Sequence, residues 1–301
     1  MATTGTDTRA RIATVAEELS GTIGVAARGL TTGEEILFNA DTVFPTASTM
    51  KLMFLYELYR QVDRGEVDPT RRIRWEDRLR VPGSGVLQDL AAGCELTVKD
   101  YATLMITVSD NAATDVIYDL IGRPQVAAAI RDLGLSSTYL PLDTRELLAG
   151  LRDLDPADPE LTYEKLNAAL GASPSTFDCA ALRETPDNNV STPRDLARLS
   201  EAIERGQGLS PASREAAIDI LKRQKFNSII PELLPFGVKA AHKTGSLRGV
   251  RNDAGIVYAG DTTYVIALMS KGFDDEISAV RALAGISKLV YQHFAGDGTA
   301  P

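Results

Sequence analysis

Apolar residues follow two spacings along the chain, and the change of spacing separates the chain ends from the middle. At both ends, short apolar runs bounded by turn residues predict β-strands. The predicted strands cover residues 22–28, 34–38, 238–244, 251–259 and 263–271. Apolar residues spaced by three and four predict helices beside them, over 8–20 and 275–294. Each chain end therefore combines strands with a helix.

The middle of the chain has mainly helical spacing. The predicted helices cover 46–64, 98–122, 124–133, a segment that begins at Pro193, and 211–225. The first of these is strongly apolar, so we expect it to be central. This arrangement predicts a sheet formed by strands from both chain ends, with a helical insertion between its halves.

Composition and charge narrow the classes of function. The 301 residues are 44% hydrophobic and 24% charged, so the chain can bury a large core. Lys and Arg number 32 against 41 Asp and Glu, a net charge of −9 that argues against nucleic-acid or membrane binding. No secretory signal or membrane-spanning stretch is seen, so we expect a cytoplasmic protein, exported only if a signal has been removed. Two cysteines and two histidines give no metal-ligand cluster, and we expect no cofactor.

The first candidate for chemistry is Ser48-Thr49-Met50-Lys51, at the start of the apolar helix. Residues three apart lie on one side of a helix, so Lys51 can reach the hydroxyl of Ser48. A lysine can remove the proton of a serine nucleophile when burial or a neighbouring cation lowers the lysine pKa. The N–H groups at the helix start would stabilise negative charge that develops near Ser48.

A second candidate segment, Ser109-Asp110-Asn111, follows a helical run. Ser109 could relay a proton between a lysine and a leaving group, and Asn111 could hold a substrate carbonyl through its amide. The alternative is a helix cap, since all three residue types are common there.

The third candidate segment is Lys243-Thr244-Gly245, on a predicted strand. Lys243 could lower the pKa of the lysine–serine network or bind a carboxylate. A strand edge can pair with an extended substrate, and Gly245 would let that substrate backbone approach closely. The alternative is a solvated lysine followed by a turn.

The three motifs, in this order, resemble those of class A β-lactamases and penicillin-binding proteins. The segments FPTASTMKL, ELTVKDYATLMITVSDNAATDVIYDLIG and HKTGSLRGVRNDAGIV extend the resemblance, which covers roughly residues 10–150 and 187–295. It implies an α+β fold with three layers, αβα, in which both chain ends form a five-stranded antiparallel sheet flanked by helices, plus an all-helical lobe. The α/β lobe would comprise residues 1–47 and 194–301, and the helical lobe 48–193.

The resemblance also implies an acyl-serine mechanism without a metal. Ser48 would attack the substrate carbonyl, Lys51 would help to activate it, and Ser109 would pass the proton to the leaving nitrogen. The residues placed around the substrate would be Asn111, Lys243, Thr244, Gly245, Ser246 and Arg251. Asn111 would contact the side-chain amide of the substrate, and Lys243 and Thr244 would bind its carboxylate. The backbone N–H groups of Ser48 and Ser246 would form the oxyanion hole, and Arg251 would be a further carboxylate-binding arginine.

One loop departs from the family pattern. Class A enzymes carry a glutamate that activates the water for release of the acyl group, and Glu146 aligns with it. Thr144 stands where the family has an arginine that pins the loop, and Gly150 stands where it has an asparagine that holds the water. We expect Glu146 to be the general base, with Glu184 or Asp187 as alternatives.

The segment at 151–185 is longer than the family pattern and indicates an insertion containing short helices. Long inserted loops are usually functional, so this one could form a lid or reshape the pocket.

The sequence therefore predicts a serine hydrolase of the class A β-lactamase type that acts on a small acyl substrate, by default the amide of a β-lactam. The alternatives are a cytoplasmic esterase, amidase or acyltransferase with the same chemistry, and a protein that is acylated by β-lactams without turnover. We expect a monomer.

Overall fold

The computed structural model describes residues 5–172 and 176–296 and contains the predicted sheet. The strands are β1 Thr22–Gly29, β2 Glu35–Phe38, β3 Phe44–Pro45, β4 Arg72–Arg74, β5 Glu95–Thr97, β6 Val190–Ser191, β7 Lys239–Leu247, β8 Val250–Ala259 and β9 Thr262–Lys271. Five of them form one antiparallel sheet in the order β2-β1-β9-β8-β7. Because β1 pairs with β9, strands from both chain ends join in one sheet, as predicted.

The helices of the described residues are α1 Gly5–Glu17, α2 Lys51–Asp63, α3 Val98–Thr107, α4 Asn111–Ile121, α5 Arg123–Asp132, α6 Thr144–Gly150, α7 Tyr163–Ala172, α8 Pro193–Arg205, α9 Pro211–Lys222 and α10 Glu276–Ala295. Helices α1 and α10 cover one face of the sheet, and α8 packs on the other. Successive side chains of β9 point to opposite faces of the sheet and so contribute to both cores. Ile266 and Leu268 belong to the core beside α10, whereas Ala267 and Met269 belong to the core shared with α2. The three-layer αβα prediction is confirmed.

The predicted helix over 98–122 is wrong in one respect, because the structure breaks it into α3 and α4. Ser109 has a left-handed backbone with φ of 55°, and Asp110 caps α4 by accepting the N–H of Ala113 at 2.9 Å. The Asp110 carboxylate also accepts the N–H groups of Val86 at 2.6 Å and Leu87 at 2.9 Å. These bonds stabilise the left-handed residue, whose conformation costs about 1–3 kcal/mol.

The insertion consists of α7 and a short 3-10 turn, Ala180–Leu182, as its sequence predicts. Arg152 donates to the carbonyls of Ala169 and Leu170, at 2.7 Å each, and so fixes the end of α7 beside α6. The insertion returns to the sheet lobe through β6, which pairs with β3. In the described part of the chain, no helix is both long and apolar enough to cross a membrane.

Candidate active site

Ser48 lies in a 3-10 turn, Ala47–Met50, that leads directly into α2. The side-chain amide of Asn252, on β8, holds the preceding chain by donating to the carbonyls of Pro45 at 2.9 Å and Thr46 at 3.0 Å. The Ser48 turn is thus fixed where the sheet meets the helices, at the N-terminal end of α2. Helix N–H groups favour negative charge at that end.

Gly245 of β7 passes directly beside this turn. A Cβ atom at Gly245 would lie 2.7 Å from the Thr46 carbonyl oxygen and 3.0 Å from the backbone nitrogens of Ser48 and Thr49. The sequence interpretation assigned Gly245 to close approach of a substrate. In the structure the backbone that needs the space is that of the Ser48 turn itself, so glycine is required before any substrate binds.

Lys51 is fully buried one turn beyond Ser48. Its Nζ donates to the carbonyl oxygen of Ser109 at 2.8 Å, to Ser109 Oγ at 3.1 Å and to Asn111 Oδ1 at 3.0 Å. Burial lowers the pKa of Lys51 to about 7, although the carboxylates of Asp115 and Asp110 oppose the shift. A lysine with such a pKa is substantially neutral near pH 7, so it can accept a proton.

Ser109 and Asn111 face Lys51 from the break between α3 and α4. Ser84, which the sequence analysis missed, donates its hydroxyl to the Ser109 carbonyl at 2.8 Å and to Asn111 Oδ1 at 3.2 Å. The Asn111 amide nitrogen donates to the carbonyl of Pro82 at 2.9 Å. The amide orientation is therefore fixed, with its oxygen towards Lys51.

Lys243 is the second fully buried lysine of the site. Its Nζ donates to the carbonyl of Thr244 at 2.7 Å. Burial, together with the positive charge of Lys51, lowers the pKa of Lys243 well below its usual range. The carboxylate of Asp253 opposes this shift. A bound carboxylate would favour the charged form of Lys243.

A cavity of about 440 Å³ opens in front of Ser48, and most of the predicted residues meet there. Those that line it are Ser48, Ser109, Asn111, Thr244, Ser246 and Arg251. Lys51 and Lys243 lie behind this surface, fully buried. The three motifs, far apart in the sequence, thus meet at one cavity.

Arg251 lines the cavity, but its guanidinium is already engaged. Nη1 donates to the carbonyls of Leu247 at 2.7 Å and Val250 at 2.8 Å, and Nη2 contacts the carboxylate of Glu276. Burial lowers the pKa of Arg251, which the Glu276 carboxylate opposes. A substrate carboxylate would have to share this arginine with Glu276.

Helix α6 forms the opposite wall of the cavity and presents a mainly apolar face. The residues that line the cavity from this segment are Thr144, Leu147, Leu148 and Leu151. Their spacing of three and four places them on one side of the helix, and Glu146 falls on the other side. Among the described residues that line the cavity, none is an aspartate or a glutamate.

Glu146 makes its contacts outside the cavity. Its Oε2 accepts from Arg123 Nη2 at 2.7 Å and from the backbone N–H of Asp143 at 2.9 Å. Asp143 in turn accepts the N–H of Glu146 at 2.7 Å, which completes a capping box at the start of α6. Arg123, from α5, pins the loop at the place where Thr144 replaces the family's arginine. The structure therefore does not bring Glu146 to Ser48.

The two alternative bases also lie outside the cavity. Glu184 forms an ion pair with Lys271 at 2.6 Å. Hydrogen bonding with Thr185 lowers the pKa of the exposed Asp187, which makes it a weaker base. Neither residue lines the cavity in front of Ser48.

Asp115 is a further residue that the sequence analysis missed. Its carboxylate accepts the N–H groups of Thr144 at 2.7 Å and Arg145 at 3.0 Å and so fixes the first turn of α6. Burial and the nearby Asp143 carboxylate raise the pKa of Asp115. Its position four residues after Asn111 could have indicated it, because both side chains then share one side of α4.

Comparison with known proteins agrees with this geometry. The model of the beta-lactamase enzyme family matches residues 7–294. The chain belongs to this family. It is a serine hydrolase of the β-lactamase type, as the sequence predicts. In the described residues, no group of three or more His, Cys, Asp or Glu side chains could hold a metal ion.

Individual relatives cover most of the chain. A beta-lactamase regulatory protein, BlaB, of Streptomyces cacaoi is 27% identical over 81% of this chain and 82% of its own length. A crystal structure of a beta-lactamase from Sphaerobacter thermophilus is 29% identical, with a TM-score of 0.78, over 96% of this chain and 97% of its own. A structure of PBP-A, a leucine-to-glutamate mutant in an acyl-enzyme complex with penicillin G, is 28% identical, with a TM-score of 0.76. The match covers 95% of this chain and 96% of the PBP-A chain.

Proposed function

We propose that this enzyme opens β-lactams by acylating Ser48 and that hydrolysis of the acyl-enzyme, rather than its formation, limits turnover. One observation carries the proposal. The wall of the cavity near Ser48 holds buried, hydrogen-bonded proton-transfer groups, whereas the α6 wall holds no carboxylate and places Glu146 on its far side.

Acylation uses the polar wall. Ser48 Oγ attacks the amide carbonyl of the substrate while Lys51, neutral near pH 7, accepts the hydroxyl proton. Ser109, bonded to Lys51 at 3.1 Å, passes a proton to the leaving nitrogen as the amide bond breaks and the ester bond to Ser48 forms. The N–H groups of Ser48 and Ser246 stabilise the oxyanion. Thr244 and Lys243 bind the substrate carboxylate, which favours the charged form of Lys243.

Deacylation needs a base that activates a water on the other side of the ester. On that side the cavity is lined by Thr144, whose hydroxyl oxygen is buried, and by the side chains of Leu147, Leu148 and Leu151. A positioned general base contributes about 10²–10⁴-fold to such a step, so its absence makes the acyl-enzyme long-lived. We assign Glu146 a structural role in the α6 capping box.

Two relatives support this reading. PBP-A has been captured as an acyl-enzyme with penicillin G in a variant in which a leucine was replaced by glutamate. BlaB is named as a regulatory protein of a β-lactamase rather than as a β-lactamase. Slow release fits both kinds of relative. The monomeric state stays a prediction.

The test is intact-protein mass spectrometry over time after mixing with benzylpenicillin. We expect an adduct with the full mass of the penicillin on Ser48 that forms quickly and outlasts the free drug. The Ser48→Ala variant should form no adduct. Rapid accumulation of hydrolysed penicillin with only a transient adduct would overturn slow deacylation, and an adduct on Ser48→Ala would overturn the nucleophile.

A further inference from the structure

A second cavity adjoins the one in front of Ser48, and we call it the annex. Its volume is about 790 Å³. The residues that line both cavities are Leu151, Ser246, Leu247 and Arg251. A group attached to a substrate on Ser48 can therefore extend past these residues into the annex.

The outer wall of the annex comes from the insertion, which the family pattern does not predict. Leu170, Gly171 and Ala172, at the end of α7, line it. Arg152 holds this end of α7 in place through its bonds to the Ala169 and Leu170 carbonyls. The insertion therefore extends the substrate cavity with a groove that is open to solvent.

The charge of the annex is opposite to that of the whole protein. Among the described residues, Arg152, Arg248 and Arg251 line the annex, and Glu276 supplies a carboxylate. The chain as a whole carries a net charge of −9. A positive compartment in an acidic protein raises the local concentration of anions and orients them.

Two of these guanidinium groups are placed where an anion can share them. Arg248 is exposed, and its guanidinium lies over the Phe177 ring, 4.7 Å from the ring centre. Arg251 contacts Glu276 with one of its nitrogens, and Glu276 is itself exposed. Because a guanidinium carries five N–H donors in a planar fork, it can bind a ligand carboxylate in addition to its present partners.

We propose that the annex binds the anionic end of the acyl side chain, so that the preferred substrates are amides whose acyl group ends in a carboxylate. The inference rests on the proposed acylation of Ser48 and specifies its substrate class. Glu276 competes with the substrate carboxylate for Arg251. Removing the negative charge of Glu276 and removing the positive charge of Arg248 should therefore have opposite effects.

The test compares two penicillins that share one nucleus and differ only at the end of the side chain, hexanoyl and adipoyl. The measured quantity is the second-order rate constant of Ser48 acylation, and its adipoyl-to-hexanoyl ratio reports on the annex alone. We expect a ratio of about five in the wild type, since two partly exposed ion pairs supply a modest gain. About 0.5 M sodium chloride should reduce the ratio by screening.

Three variants make the test specific. Arg248→Gln should lower the ratio towards one, and Glu276→Gln should raise it about twofold. Arg11→Gln is the matched control, because it removes an exposed arginine of α1 that lines neither cavity. It should leave the ratio at the wild-type value. Thermal unfolding of each variant checks that the fold is retained.

The outcomes separate this inference from the proposed function. Equal acylation rates with both penicillins would contradict anion binding in the annex, and so would a ratio that Arg248→Gln and Glu276→Gln do not change. Neither result would contradict the acylation of Ser48. No acylation by either penicillin would overturn the proposed function and the annex with it. A lower adipoyl-to-hexanoyl ratio in Arg248→Gln and a higher ratio in Glu276→Gln would support binding of the side-chain carboxylate in the annex.

Discussion

The two walls of the Ser48 cavity differ in chemistry although they face each other across one space. The wall formed by α2, α4 and β7 buries two lysines and joins Lys51 to Ser109 and Asn111 through bonds of 2.8–3.1 Å. The wall formed by α6 presents Thr144 and three leucines. The first wall can move protons, and the second can exclude water.

We infer that the two halves of the acyl-serine reaction depend on separate parts of this fold. Acylation depends on groups fixed by the core of the protein, where burial controls the pKa of a lysine. Deacylation depends on which side of a seven-residue helix faces the cavity. The direction of Glu146 follows from the capping box and from Arg123. We propose that this local helix geometry determines the lifetime of the acyl-enzyme.

The largest expected effect is on the polar wall. Lys51→Ala should slow acylation by about 10²–10⁴-fold, the contribution of a positioned base. The wild-type rate should rise with pH and level off above about 7, because the neutral form of Lys51 is the base and the pKa of Lys51 is about 7. Stopped-flow acylation rates across pH measure both effects. A variant that acylates at the wild-type rate would remove Lys51 from the mechanism.

A smaller but more specific effect is expected on the apolar wall. Leu147→Glu and Leu148→Glu each place a carboxylate on the cavity side of α6, and at least one should shorten the acyl-enzyme lifetime by about tenfold or more. Glu146→Gln is the matched control on the opposite side and should leave the lifetime within about twofold, since its carboxylate points away from Ser48. The lifetime is measured by mass spectrometry after rapid removal of free drug. If Glu146→Gln prolonged it strongly, Glu146 would be the base after all.

The close contact between Gly245 of β7 and the Ser48 turn leads to a prediction about stability. Gly245→Ala should lower the free energy of unfolding by about 1–3 kcal/mol, because its Cβ would overlap the Thr46 carbonyl and the Ser48 turn. Gly285→Ala is the matched control: it lies within α10, where an added Cβ would meet no atom within 4 Å, and should stabilise by about 0.5–1 kcal/mol. Urea unfolding measures both. Equal stability of the two variants would contradict the close contact at Gly245.

The smallest expected effect concerns the outer side of α6. Arg123→Gln removes the ion pairs of Arg123 with Glu146 and Asp143, which are partly exposed, and should lower stability by at most about 1 kcal/mol. The acylation rate should stay unchanged, because Arg123 does not line the Ser48 cavity. Thermal unfolding and the acylation rate test this together. A large fall in the acylation rate would contradict this prediction, because it would show that Arg123, on the outer side of α6, influences the Ser48 cavity.

Much of the fold could be predicted from the sequence because the strand and helix spacings are strong. The sheet of both chain ends and the family membership are confirmed, and the observed strands of that sheet lie within three residues of those predicted. The apolar pattern of 98–122 is continuous and hides the break at Ser109. The helix cap, the alternative interpretation of Ser109-Asp110-Asn111, is nevertheless confirmed, because Asp110 caps α4. The bonds from Asp110 to the distant Val86 and Leu87 could not be predicted from local spacing.

Some residues of the site could be predicted from the sequence, and others could not. Ser48, Lys51 and Ser109 could be predicted because their motifs combine local spacing with order along the chain. Their roles stay predictions until the variants are measured. The direction of Glu146 could not be predicted, because it depends on Arg123, which lies 23 residues earlier and fills the position of an absent family arginine from another helix. Asp115 was missed although its spacing of four from Asn111 could have indicated it. Its partners, the backbone N–H groups of Thr144 and Arg145, lie in another helix.

The most direct measurement of the central claim is a stopped-flow record of β-lactam opening with a chromogenic cephalosporin in excess. If acylation is fast and deacylation slow, product forms in a burst equal to the concentration of active sites and then at a much slower steady rate. A linear record with no burst and rapid turnover would contradict the account, because it would show that the acyl-enzyme is released as fast as it forms.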